Sequence, residues 1–156
     1  MYVDNNLLLS GSISSAGAVA GQTVFSAGTS VLSTNTVDLG VARDMGEGRD
    51  LFGRFEYTVA AVGGTSIEMQ VISATDAALT TAVTVLGTTG PIAVASLTLG
   101  SRFVCDVNPV IGSKGQRYLG LRYISVGTTT AGSVFGDLGA EIQDGQKFYP
   151  NGFAVL

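Results

Sequence analysis

Three carboxylates, Asp44, Glu47 and Asp50, lie three residues apart in the segment RDMGEGRD and are the side chains best arranged for chemistry. Carboxylate oxygens are ligands that calcium prefers. The segment lacks the alternating Asp and Asn residues of a calcium loop, however, and Arg43 and Arg49 compete for the same carboxylates. We therefore interpret it as a solvated loop with local ion pairs, and a bound ion is the alternative.

The commonest catalytic sites are excluded by composition. The chain contains no histidine, which removes the usual general base and the commonest metal ligand. Sites of the Ser-His-Asp and Cys-His types are therefore impossible. A hydrolase that uses only carboxylates, such as Asp44 and Glu47, is the alternative, but the acidic residues are dispersed and no tryptophan offers a platform for a sugar. We expect no enzyme activity, no cofactor, no metal and no small-molecule substrate.

Two other motifs have structural interpretations. The segment GSKGQR at residues 112–117 resembles a phosphate-binding loop, but it lacks the four-residue spacer before Gly-Lys and the following helix, which favours a turn. Cys105 shares the apolar side of RFVCDV with Phe103 and Val107. A small buried core residue is therefore predicted for Cys105 rather than a reactive thiol.

Charge and length narrow the possible partners. The 156 residues suit one domain, and the net charge of -4 without a run of Lys or Arg argues against nucleic acid. Only 13% of the residues are charged, where about a quarter is usual, so we expect a partner to cover part of the surface. The start, MYVDNNLLLS, has Asp4 and an apolar run too short for a signal or a membrane span. We expect synthesis in the cytoplasm and no membrane partner.

The elements that would position these residues are predicted to be strands. Twenty-two glycines disfavour helices. Alternation of apolar and polar residues predicts a strand at residues 51–62, with Leu51, Phe55, Tyr57 and Val59 on one face, and a second after the Gly63-Gly64 turn that completes a hairpin. Further short strands are predicted at residues 82–86, 92–97 and 102–107, because Gly, Pro, Asn or Thr clusters bound each of them.

The most regular pattern lies in residues 116–143. Leu119, Leu121 and Tyr123 share one parity, and Val134 and Leu138 continue an apolar side after the segment GTTTAG, which predicts a β-hairpin. The chain as a whole is predicted to be one all-β domain over residues 1–156. We expect a jelly-roll β-sandwich of about eight antiparallel strands with extended N- and C-terminal arms, residues 1–34 being a possible arm and residues 144–156 a C-terminal segment.

Apolar residues near both termini are the candidate contacts with a partner. Terminal segments are usually poorly ordered unless other residues hold them, so an apolar terminus has two interpretations: a strand that closes its own subunit, or an arm that docks on another protein. The residues are Tyr2, Val3, Leu7, Leu8 and Leu9 at the N-terminal end and Phe148, Tyr149, Phe153 and Leu156 at the C-terminal end.

Several blocks of the sequence resemble, in order, the jelly-roll capsid cement proteins, or head decoration proteins, of tailed bacteriophages. The blocks are MYVDNNLLLS, STNTVDLG followed by RDMGEGRDL, RYLGLRYISVGTTTAGSVFGDL and the closing FYPNGFAVL, and together they span nearly the whole chain. The Gly-, Ser- and Ala-rich stretch at residues 11–34 departs from the family.

The resemblance implies a non-enzymatic protein on the outer surface of the virion capsid. Its partners would be the major capsid protein and other copies of itself, in a homodimer or homotrimer, and it would stabilise the head against the pressure of packaged DNA. The alternative from a different class is a receptor- or carbohydrate-binding β-sandwich of a tail fibre, although the absence of tryptophan speaks against it.

Overall fold

The computed structural model describes residues 6–25, 30–42, 51–108 and 116–140. Within these ranges the chain forms twelve β-strands and one 3₁₀ helix, Val94–Ser96. The strands are β1 (Leu8–Ser10), β2 (Ser12–Ile13), β3 (Val19–Ala20), β4 (Gln22–Thr23), β5 (Ser30–Leu32), β6 (Val37–Asp38), β7 (Leu51–Gly63), β8 (Ser66–Ala74), β9 (Thr84–Ala93), β10 (Arg102–Val107), β11 (Tyr118–Val126) and β12 (Thr129–Gly139).

Two main antiparallel sheets form a β-sandwich, which confirms the predicted fold class. The first sheet has the order β1-β12-β7-β10, with β4 also paired to β12, and the second has the order β5-β11-β8-β9, with β6 also paired to β11. Counted along the chain, the eight strands of these two paths pair first with eighth, second with seventh, third with sixth and fourth with fifth. This nested pairing is consistent with a jelly roll. Strands β2 and β3 pair only with each other among the described residues.

Both predicted hairpins are wrong, because each of these connections crosses from one sheet to the other. β11 and β12 follow one another but belong to different sheets, and so do β7 and β8. The two connections lie side by side, where the Thr65 N–H donates a hydrogen bond of 2.8 Å to the Val126 carbonyl. Gly63, Gly64 and Gly127 have φ angles of 76°, 73° and 80°, a left-handed conformation that glycine adopts without strain.

Other predicted strands are confirmed or corrected. Residues 102–107 form β10 as predicted, whereas residues 82–97 contain one strand, β9, followed by the 3₁₀ helix. The glycines of this region do not end the strand, because shifts in its register with β8 accommodate them. Val59 is 48% exposed, so its predicted place beside Phe55 and Tyr57 is wrong. The pairing of β7 with β12 changes register next to Val59, which interrupts the alternation.

The core lies between the two sheets and contains the residues whose alternation was clearest. Leu119, Leu121 and Tyr123 are at most 2% exposed, and the rings of Phe55 and Tyr123 meet edge to face at 6.1 Å between centroids. Cys105 is buried as predicted. Burial raises the pKa of its thiol to about 11, so the thiol stays protonated and unreactive near neutral pH.

The described part of the possible N-terminal arm contributes strands to the sandwich of its own subunit. β1 and β4 both pair with β12. The Tyr123 hydroxyl donates a hydrogen bond of 2.8 Å to the Ser10 hydroxyl inside the core. The Asn35 N–H also donates to the Leu9 carbonyl at 2.9 Å, so β1 is held from both sides.

An exposed ion pair at the edge of the second sheet gives a pH prediction. Arg117 donates to both carboxylate oxygens of Asp38, at 2.6 and 2.5 Å, which together with the Gly40 N–H holds the pKa of Asp38 below its ordinary value of 3.8. Since the folded-state pKa is the lower one, the pair stabilises the fold above the unfolded-state pKa, and this stability is lost as pH falls through the folded-state pKa.

We expect an NMR titration of the Asp38 carboxyl carbon to give a midpoint below 3.8 and Arg117→Gln to raise that midpoint. The carboxyl of Asp76 is the control, since its pKa is lowered by hydrogen bonds from Thr81 and then Thr80 and has no contribution from Arg117. An Asp38 midpoint that does not respond to Arg117→Gln would contradict the assignment.

Candidate partner-binding surface

An apolar groove of about 400 Å³ lies on the outer face of the first sheet. Its floor is part of β7 and β12, one wall is the β2–β3 hairpin, and the other wall is the turn that precedes β10. We call it the apolar groove. The residues that line it are Ile13, Gly17, Val19, Glu56, Tyr57, Thr58, Leu99, Gly100 and Phe135.

The β2–β3 wall can lie close to the sheet because glycines flank it. A Cβ atom on Gly21 would lie 2.1 Å from the Thr58 hydroxyl and 3.0 Å from the Val134 backbone nitrogen. A larger residue would therefore push the hairpin off β7 and β12. The hairpin turn is closed by Ser14, whose carbonyl accepts from the Gly17 N–H at 2.9 Å. This wall lies within residues 11–34, the stretch in which the sequence departs from the cement protein family that it resembles.

The opposite wall presents Leu99 to solvent on a turn with many hydrogen bonds. Leu97 is fully buried, two residues before Leu99, which is 72% exposed. The Gly100 N–H donates to the Tyr57 carbonyl at 2.7 Å, and both the N–H and the hydroxyl of Ser101 donate to the Thr98 carbonyl. The turn is held at both ends, so the exposed position of Leu99 is a feature of the fold rather than a consequence of a loose loop.

The hairpin wall carries two further exposed apolar side chains. Ile13 is 39% exposed and Val19 is 53% exposed, and both face the apolar groove together with Leu99. Phe135 in the floor is only 3% exposed, because the hairpin covers it. These exposed apolar side chains gather around one groove, which makes the apolar groove the candidate docking surface among the described residues.

Charged residues border the apolar groove on its β10 side. Arg102 donates to Glu56 at 3.0 Å across β10 and β7, and the side chain of Arg102 is 50% exposed. Next to it, Arg54 and Asp137 form a buried bidentate ion pair between β7 and β12, with Nε to Oδ1 at 2.9 Å and Nη2 to Oδ2 at 2.5 Å. Protein interfaces have a polar, solvent-accessible rim, which the exposed Arg102–Glu56 pair can provide here, whereas the Arg54–Asp137 pair is buried and lies outside that rim.

The predicted contact residues are only partly within the described ranges. Leu8 is 4% exposed and Leu9 is fully buried, so both pack in the core of their own subunit, and Leu7 is half-buried against the same core. This placement matches the first of the two interpretations of the N-terminal residues. Tyr2, Val3, Phe148, Tyr149, Phe153 and Leu156 lie outside the described residues.

The loop with Asp44, Glu47 and Asp50, interpreted as a solvated loop with a bound ion as the alternative, also lies outside the described ranges. In the part of the chain that the structure does describe, no three His, Cys, Asp or Glu side chains come together as metal ligands would. Within the same described ranges, no helix is long and apolar enough to cross a membrane.

The residues of the apolar groove were missed by the sequence reasoning. Ile13 and Val19 lie in a stretch of small residues with little alternation, and Leu99 was placed between two predicted strands. A signal existed at Leu99, because Gly100 and the space between two predicted strands indicate a turn, and turns lie on the protein surface.

Comparison with known proteins gives one family. A family model described as Bbp16 matches residues 10–137, which cover most of the chain and include both sheets. No curated protein matches the chain.

Proposed function

Because the chain belongs to the Bbp16 family, which is phage-related, we propose that it is a structural virion protein of a tailed phage. It binds the outer surface of the capsid as a small oligomer and connects neighbouring major capsid protein subunits. The apolar groove, with Leu99 72% exposed on its wall, is the observation that carries this proposal. In this role the groove receives an apolar segment of the major capsid protein.

The physical requirements of such a role agree with the fold. A protein that connects others needs a rigid scaffold and complementary surfaces, and it needs no reactive groups. The hydrogen-bonded walls of the apolar groove keep its shape before binding, which reduces the entropy lost when a partner docks. Each contact can be modest, because an oligomer that binds at several points on one lattice gains about a hundredfold or more through effective concentration.

The proposed role predicts that the protein binds to capsids. We expect the purified protein to co-sediment with phage heads that lack it, and Leu99→Asp to weaken this binding about tenfold or more, because a carboxylate in an apolar contact is desolvated without a partner. Val126→Asp is the matched control, since Val126 is 54% exposed and lies at the connection between the two sheets, outside the apolar groove.

Two outcomes would contradict the proposal. If neither the unchanged protein nor the control binds heads, the capsid role is wrong. If Leu99→Asp and Val126→Asp reduce binding equally, the apolar groove is not the contact. The same protein on a glycan array tests the tail-fibre alternative, for which saturable binding of one glycan would be the supporting result.

A further inference from the structure

The exposed side of β10 carries a charge pattern that is complementary to itself. Arg102, Val104 and Asp106 all point to the outside of the first sheet, while Cys105 and Val107 between and beyond them are buried. The order along the strand is therefore a cation, an apolar residue and an anion. With about 3.4 Å per residue, the two charged residues are about 14 Å apart and Val104 lies midway.

We propose that this strip, Arg102, Val104 and Asp106, is the contact between two copies of the chain in a two-fold symmetric dimer. A two-fold axis at Val104 brings two strips together in antiparallel orientation. Arg102 of each copy then faces Asp106 of the other, and the two Val104 side chains meet between these pairs. A two-fold contact requires this kind of pattern, since the same surface must serve as both partners.

The strip fits a second copy through its side chains rather than through added backbone hydrogen bonds. β10 is an edge strand of the first sheet, but β9 of the second sheet closes part of its free edge. The Asn108 N–H donates to the Leu86 carbonyl at 2.8 Å, and a Cβ atom on Gly87 would lie 2.2 Å from the Asp106 carbonyl oxygen. An incoming strand could not pair along all of β10, whereas Arg102, Val104 and Asp106 on its outer face are exposed in the described part of the chain and can make a face-to-face contact.

The exposure of the three residues agrees with this contact. Val104 is 37% exposed on the outer face of β10, so a second copy can reach its side chain. The side chain of Arg102 is 50% exposed although it contacts Glu56, so it can contact a carboxylate of another copy at the same time. Asp106 is exposed as well. Opposite charges at such a contact fix its register and exclude a parallel arrangement, which would place like charges together.

The inference rests on the proposed function, which requires a small oligomer, but its test needs no capsid. Sedimentation equilibrium of the full chain measures the dimer dissociation constant of the unchanged protein, Arg102→Asp, Asp106→Arg and the double variant that carries both changes. Each single variant opposes like charges twice in a symmetric dimer, so we expect its dissociation constant to rise about tenfold or more. The double variant restores opposite charges at both positions and has the net charge of the unchanged protein, so its dissociation constant should fall back toward that of the unchanged chain.

Circular dichroism of each variant shows whether it is folded, which matters for Arg102→Asp because it lies beside Glu56. Should that variant unfold, Asp106→Arg alone and Val104→Arg still test the strip. Three results would overturn the inference. The unchanged protein could be a monomer, Asp106→Arg could dimerise normally, or the folded double variant could stay as monomeric as the single variants. If the double variant regains dimerisation but the unchanged protein does not bind heads, only the proposed capsid role is overturned and the dimer contact stands.

Discussion

Replacing Asp137 with alanine is expected to lower the free energy of unfolding by about 3–5 kcal/mol. Asp137 and Arg54 face each other directly in the β7–β12 pairing, and their side chains are 2% and 10% exposed. The alanine leaves the Arg54 guanidinium buried without its carboxylate. In the unchanged protein, the desolvation of both ions offsets most of their attraction, so the intact pair adds little net stability. Leaving one buried charge without its partner therefore costs more free energy than the pair contributes. Unfolding in urea, followed by circular dichroism, measures the loss.

Two variants separate the buried charge from the loss of any ion pair. Arg117→Ala removes the pair with Asp38, whose side chains are 40% and 42% exposed, and should have a much smaller effect because water replaces the partner. The double variant Arg54→Met, Asp137→Leu removes both buried charges and should recover much of the stability lost in Asp137→Ala. An Asp137→Ala protein no less stable than Arg117→Ala would contradict the burial argument.

Replacing Leu9 with alanine is expected to cost about 2–5 kcal/mol of stability, the range for a leucine truncated in a packed core. Leu9 is fully buried in the main core cluster together with Leu121 and Leu138. Its strand, β1, is the outermost strand of the first sheet path and pairs with β12, so a cavity there weakens the attachment of the N-terminal residues. The variant should unfold at a lower urea concentration, and its folded fraction should still bind heads.

The matched control is Leu99→Ala, which removes the same atoms from a side chain that is 72% exposed. We expect that variant to keep its stability and to bind heads more weakly. If Leu9→Ala were as stable as the unchanged protein but failed to bind heads, the second interpretation of the N-terminal residues, a contact with a partner, would be correct for Leu9.

The two proposed surfaces lie on the same sheet and have different compositions. The apolar groove lies over β7 and β12, whereas the strip lies on β10 at the sheet edge. In the two proposals, the groove offers apolar area and shape to a different protein, and the strip offers a cation and an anion on either side of Val104 to a second copy of the chain.

The class of fold followed from local pattern, because alternation reports which face of a strand is buried. Leu119, Leu121 and Tyr123 were placed correctly in the core, and the bounds of β10 agreed with the prediction. The absence of histidine excluded whole classes of catalytic site from composition alone. These conclusions needed no knowledge of which strand lies beside which.

The partners of the strands were decided only by the tertiary structure. β11 and β12 are separated by two residues and still belong to different sheets, since burial of both inner faces favours the long pairs β7–β12 and β8–β11 over a local hairpin. Likewise, Arg54 and Asp137 are 83 residues apart in sequence and form one ion pair. The apolar groove combines Ile13, Leu99 and Phe135 from three distant segments. A sequence pattern describes the surroundings of one segment, whereas a site built from several segments exists only once the sheets have packed.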